Sequence, residues 1–191
     1  MPVDRIKAAL AIESFLRALG RDPAREPQLR GTAERVTQAY ADDLCKGYEL
    51  DVEAVFASNV IVVTTGKTEV VALRDIAVAT MCPHHLMPAT GLGTVAFAPR
   101  GKLLGLGAIA ELVDGFSRRL TLQEAIGDQV ADALMSHLEP VWAGCRLVLT
   151  HTCLTARGQR RHGSKTETVA LAGSPNAEDR AAAIAALGVG R

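Results

Sequence analysis

Cys82-Pro83-His84-His85 and His151-Thr152-Cys153 set two of the chain's four cysteines among histidines. Thiolate and imidazole are ligands that zinc prefers. A Cys-x-x-His pair (Cys82, His85) with one later cysteine (Cys153) supplies three of them, leaving the fourth tetrahedral position for water. His84 and His151 then stand near the metal residues without being needed as ligands. Neutral imidazole titrates near working pH, so both are candidate proton carriers for chemistry at a metal-activated water. A plainer reading stays open: Cys-x-x-His also describes a buried thiol beside a satisfied histidine, and spacing does not establish that the two segments meet.

Metal chemistry needs stiff supports, and the flanking sequence reads as such. Asn59 to Thr65 and Glu69 to Ala77 are rich in Val and Ile around Gly66-Lys67, a pattern that predicts a hairpin ending just before Cys82. Gly91 to Ala98 reads as a third strand with Pro99-Arg100-Gly101 as its turn. Arg146 to Ala156, which contains Cys153, and Thr166 to Ala172 read as two more. Ile109, Leu112, Val113 and Phe116 are helically spaced, and Leu122, Ile126, Val130, Leu134 and Leu138 recur every four residues, so two helices separate the strand groups. Upstream, Ile6, Leu10, Phe15, Leu16 and Leu19 form a helical stripe ended by Gly20. A charged, proline-containing connection follows. Thr32 is placed to cap a second helix to about Leu44, with Val36, Ala39, Tyr40 and Leu44 inward and Gly47 as its stop. After Gly173, Ser174-Pro175-Asn176 breaks the pattern, and the alanine-rich stretch to Arg191 is a short helix or a frayed tail. Periodicity alone predicts an α+β class.

With 191 residues, 48% of them hydrophobic, the chain can bury one core. Lys plus Arg (21) balances Asp plus Glu (21), and no basic stripe interleaves with aromatics, which argues against nucleic acid as a partner. No apolar run reaches the roughly 18 residues of a membrane span, and the N-terminus lacks the apolar core of a signal peptide. Cysteines without a regular framework suit reduced thiols and a cytoplasmic location, with Cys45 and Cys145 as inert thiols. The one basic cluster, Arg157, Arg160, Arg161, His162 and Lys165, reads as a solvated loop for most of its members.

The stretch Met81 to Pro88, then Gly91, Val95-Ala96-Phe97-Ala98-Pro99, Gly105-Leu106, Gln123-Glu124 and Thr150 to Gly158 resembles the GTP cyclohydrolase I family in order and spacing. Thr32-Ala33-Glu34-Arg35-Val36 resembles that family's Thr-Pro-x-Arg-Val helix start. The resemblance spans roughly residues 30 to 173. It implies the tunnelling fold: an antiparallel four-stranded sheet with two helices on one face, preceded by N-terminal helices, the sheets of several subunits closing into a barrel. The expected organisation is N-terminal helices over 1–48, a catalytic domain over 49–173 and a C-terminal tail over 174–191. Homo-oligomers of two pentamers, with active sites between subunits, are implied as well.

Carried over residue by residue, the resemblance implies Cys82, His85 and Cys153 as zinc ligands and His84 and His151 as catalytic histidines. Glu124 and Gln123 become the purine-recognition pair, a carboxylate accepting from the adjacent N1–H and 2-amino donors of guanine. Without the resemblance, Glu124 would be an ordinary first-turn glutamate. The implied reaction is hydrolytic opening of a purine imidazole ring by attack at C8.

Five positions depart from the family. After Gly-Leu the family reads Ser-Lys-x-x-Arg, where this chain has Gly107, Ala108 and Glu111, and a further family lysine is Gln38. The serine expected to assist later steps is thereby missing too. Three cations that would hold a triphosphate are gone and one is replaced by an anion. At about 1.5–3 kcal/mol per charge-assisted contact, the loss is on the order of 4–9 kcal/mol. Arg157 alone matches a family phosphate contact. The sequence therefore points first to a zinc hydrolase acting on a guanine-like purine without a triphosphate. GTP cyclohydrolase I proper, with phosphate recognition moved to the Arg157–Lys165 loop, is the alternative, and a non-catalytic purine- or pterin-binding descendant is another. Pro83 replaces the acidic residue usual between the zinc cysteine and the catalytic histidine.

Overall fold

Asp4 caps the first helix, α1 (Arg5–Ala18), by accepting from the Lys7 amide at 3.0 Å. The computed structural model describes residues 3–63, 69–158 and 160–190 and divides into two units, Met1–Lys46 and Gly47–Arg191. In the first unit α1 is followed by α2 (Thr32–Ala39) and a π-helical turn, Tyr40–Leu44. Gly31, in the left-handed region at φ 68°, is the residue before α2; Thr32 is already helical, and its side chain makes no cap. The residues buried on α2 are Ala33 and Thr37, while Val36 and Tyr40 are half-buried and Ala39 is exposed. The apolar stripe of α1 is real but lies outward: Ile6, Leu10, Phe15 and Leu19 are all more than half exposed. An Arg5–Asp42 ion pair closes this unit.

The second unit opens with α3 (Val52–Asn59), capped by the Asp51 carboxylate on the Ala54 amide. Gly47 is not the stop of the preceding helix, which ends at Leu44 with Cys45 as its cap; it lies inside a 3-10 turn, Lys46–Glu49, and marks close approach, since a Cβ there would lie 2.0 Å from the Gly115 carbonyl oxygen. The strand that follows, β1 (Val60–Val62), does not form the predicted hairpin. It pairs antiparallel with β4 (Lys102–Leu104), beyond β2 (Val71–Met81) and β3 (Pro88–Phe97). The expected Gly66-Lys67 turn lies outside the described residues. Valine-rich composition identified both segments as strands, but partner choice depends on what else the sheet offers, and β2 finds a longer partner in β3.

Two helices, α4 (Leu106–Ser117) and α5 (Gln123–Leu138), connect to β5 (Trp142–His151). A four-residue helix, α6 (Thr152–Thr155), leads through a loop to β6 (Thr166–Gly173). The main sheet is antiparallel in the order β2-β3-β5-β6, the α+β arrangement with two helices on one face that the tunnelling fold requires. The β5 strand starts four residues earlier than predicted and stops at His151, so Cys153 sits in a helical turn.

Alternation along β5 sorts the two faces. Cys145, Leu147 and Leu149 pack with Ile109, Leu112, Val113, Ile126, Val130 and Leu134 of α4 and α5 in one core. On the opposite face, Trp142 and Ala96 pack against Ala183 and Leu187 of α7 (Ala177–Leu187), the C-terminal stretch for which tail and helix were both open. Asn176 caps α7 on the Asp179 amide at 2.9 Å. Gly91 leaves no room for a side chain between β3 and β5, since an added Cβ would meet the Val148 carbonyl oxygen at 2.1 Å. No helix among the described residues is long and apolar enough to cross a membrane.

Candidate active site

The main sheet's strand order brings the two Cys/His segments together. Cys82 and His85 lie on the loop joining β2 to β3, and the end of β5 pairs with the start of β3, Ala89 opposite His151. The next turn, α6, therefore reaches the loop. Thr152 Oγ1 donates to the Pro88 carbonyl at 2.6 Å and fastens it there. The loop is closed by the Cys82 amide on the Met87 carbonyl (3.0 Å) and the Leu86 amide on the Cys82 carbonyl (2.9 Å), with Leu86 at φ 50°.

The ligand atoms of Cys82, His85 and Cys153 lie within 4.8 Å of one another. In tetrahedral zinc geometry, with Zn–S about 2.3 Å and Zn–N about 2.0 Å, the sulfur-to-nitrogen edge is about 3.5 Å; Cys82 Sγ and His85 Nδ1 are 3.6 Å apart. Burial, and next to it the Cys82 thiol, push the Cys153 thiol above its ordinary range, while Arg157 pulls it down. Two neighbouring thiols resist becoming two thiolates without a cation between them, and a divalent metal removes that conflict. The donor set thus fits zinc. His84, whose ring stands edge-on to His85 with centroids 6.2 Å apart, is not a member of the group. His137, a spare histidine in sequence, stacks on Phe56 at 4.1 Å and serves the fold instead.

These three candidate ligands open onto a cavity of about 290 Å³, which His84, Glu124, Gln123 and His151 also line. Glu124 is exposed in the first turn of α5. Gln123 beside it is 3% exposed, and its amide is fully engaged. Nε2 lies 3.1 Å from the Leu147 carbonyl, 3.0 Å from the Thr166 carbonyl and 3.1 Å from Thr168 Oγ1. Those acceptors orient the amide so that Oε1 points to His151 Nε2 at 2.8 Å, and that nitrogen donates. Gln123 therefore positions His151 and ties α5 to β5 and β6. Thr80 and Ala89 also line the cavity, and no sequence pattern singled them out.

Arg157 is exposed just beyond α6 and does not line this cavity; Arg160, Arg161, His162 and Lys165 follow in the loop to β6. Nor do the divergent positions line it. Glu111 is exposed on α4, Gly107 faces open space, and Ala108 is 4% exposed in the core.

A family model described as GTP cyclohydrolase I matches residues 8–187. Among curated proteins, the GTP cyclohydrolase 1 of Synechococcus sp. (strain JA-2-3B'a(2-13)) is 40% identical over 163 residues, covering 85% of this chain and 69% of the relative. That of Caldanaerobacter subterraneus is 36% identical over 182 residues, covering 95% and 94%. The Carboxydothermus hydrogenoformans protein of the same name is 37% identical over 193 residues, covering 97% and 96%. Among solved structures, archaeosine synthase QueF-Like in its apo form matches with a TM-score of 0.46 and 18% identity over 58% of this chain and 100% of that one.

Proposed function

Because this chain belongs to the GTP cyclohydrolase I family, we propose that it hydrolyses GTP to 7,8-dihydroneopterin triphosphate and formate, opening the imidazole ring at C8. What supports the reading is one juxtaposition: a Cys82/His85/Cys153 donor set that fits zinc, two histidines outside that set and an exposed carboxylate, all around a single cavity. Bound there, zinc supplies the Lewis acid that activates water.

The remaining work falls to the chain's own residues. Glu124 accepts from N1–H and the 2-amino group and so selects a guanine edge. His84 and His151 carry protons to and from the purine ring nitrogens as the C8 bonds break. His151 does so from an orientation held by Gln123. Arg157 and the following Arg160 to Lys165 loop supply the positive charge for the triphosphate. We also assign a cytoplasmic homo-oligomer, two pentamers face to face. The outward apolar stripe of α1 and the two unpaired sheet edges, β2 and β6, favour association.

A second reading is favoured by Gln38, Gly107, Ala108 and Glu111: the same ring opening on a guanine-like free base, oxidised base or nucleoside. Incubating the zinc-loaded protein with GTP, guanosine, guanine, 8-oxoguanine, xanthine and urate at equal concentration, with product masses followed, separates the two. Preferential loss of GTP with formate release is expected. Preferential opening of an unphosphorylated purine establishes the second reading, and binding without turnover a non-catalytic descendant.

A further inference from the structure

One buried polar atom at this cavity has no partner among the described residues. Thr80 is 3% exposed, and its Oγ1 makes no hydrogen bond among the described residues, although Thr80 lines the cavity with Cys82, His84, Glu124 and His151. A hydroxyl withdrawn from water and left unpaired is costly, and in native proteins such groups are rare enough to need a reason.

The strand register shows what the hydroxyl faces. Thr80 pairs with Ala89, and Ala89 with His151, so the three stand in one row across β2, β3 and β5. Directly paired residues share a sheet face, here the one that carries Val78 and Leu149 into the core below α5. With strands about 4.8 Å apart, Thr80 and His151 flank Ala89 from backbones roughly 10 Å apart. Ala89 has the smallest side chain of the row and is 1% exposed. It makes a floor, with a hydroxyl at one wall and an imidazole at the other.

We infer that Thr80 is a substrate-contacting residue whose Oγ1 hydrogen-bonds a polar edge atom of the purine base lying over Ala89. The assignment rests on this cavity being the purine site proposed above. A hydroxyl both donates and accepts, so it can meet a ring nitrogen or an exocyclic oxygen. Its partner in the fold is missing because the ligand provides it. The contact is to the base, so it discriminates among purines and is indifferent to what the ribose carries.

The test uses the zinc-loaded full chain as wild type, Thr80→Val and Thr80→Ser, with GTP and guanosine as substrates, alongside melting temperature, bound zinc and oligomer mass. Valine keeps the shape and removes the hydroxyl. Thr80→Val is expected to lower kcat/KM roughly five- to hundredfold, by the same factor on GTP and on guanosine, which share the base and differ only in what the ribose carries. Its melting temperature should equal or exceed wild type, because the group removed is unpaired in the free protein. Thr80→Ser should stay within about threefold of wild type. A Thr80→Val protein with wild-type kcat/KM overturns the inference and leaves the proposed function standing. A marked loss of melting temperature or a changed oligomer mass overturns it too, because the hydroxyl then serves the fold or a neighbouring copy. A wild type that opens no purine overturns both.

Discussion

His151 Nε2 donates to Gln123 Oε1 at 2.8 Å, and the other end of that amide is held by three acceptors on β5 and β6. One side chain at the start of α5 therefore sets the orientation and the tautomer of an imidazole at the end of β5. A histidine fixed in this way presents the same nitrogen to the cavity at every turnover, which is what a proton carrier needs.

Gln123→Ala should lower kcat by about ten- to hundredfold, since His151 loses its orienting partner while Glu124 remains to bind substrate. KM should change less. Gln123→Glu is nearly the same size but sets an acceptor against the Leu147 and Thr166 carbonyls, so it should melt below Gln123→Ala. Steady-state kinetics and calorimetry on both variants check the pair.

Metal analysis tests the donor set directly. Cys82→Ser and Cys153→Ser should each reduce bound zinc from one per chain to a small fraction of that and abolish ring opening, with chelator reproducing the loss in wild type. Cys45→Ala, a half-buried thiol outside the group, should keep both metal and activity.

The proposed triphosphate contact puts the charge of the loop after Cys153 to a direct test. Arg157→Ala together with Arg160→Ala should raise KM for GTP about tenfold or more and leave KM for guanosine unchanged. Glu111→Arg, restoring a cation at a divergent α4 position, should lower KM for GTP. Initial rates against both substrates measure the two effects, and equal changes for GTP and guanosine would count against a triphosphate role.

Cys145 makes folding sensitive to alkali. It is fully buried on β5, and burial pushes its thiol from 9.0 up to about 12. Between those values the unfolded chain has released the proton and the folded chain has not. Stability is therefore full below about pH 9 and falls as pH rises toward 12, with a slope approaching one proton per chain. Urea midpoints from pH 8 to 11 should fall more gently in Cys145→Ala than in wild type.

The chemistry of the site was legible because it is carried by residue types at short range. Cys82 and His85 are three apart, Gln123 and Glu124 adjacent, and helical periodicity placed Ile109, Leu112, Val113, Phe116 and the Ile126-to-Leu138 face correctly in the core. Hydrophobic period and ligand preference are local properties, so the sequence by itself determined an α+β chain with candidate zinc ligands and a recognisable family. Partner choice is not local. That β1 joins β4, that Cys153 leaves its strand to meet Cys82, and that α7 covers the far face of the sheet were decided by competition among surfaces brought together only in the tertiary structure. The same holds for Gln123 and Thr80. Nothing in their spacing distinguishes an amide with every partner made from a hydroxyl with none, because that difference exists only once β2, β3, β5 and α5 have closed around them.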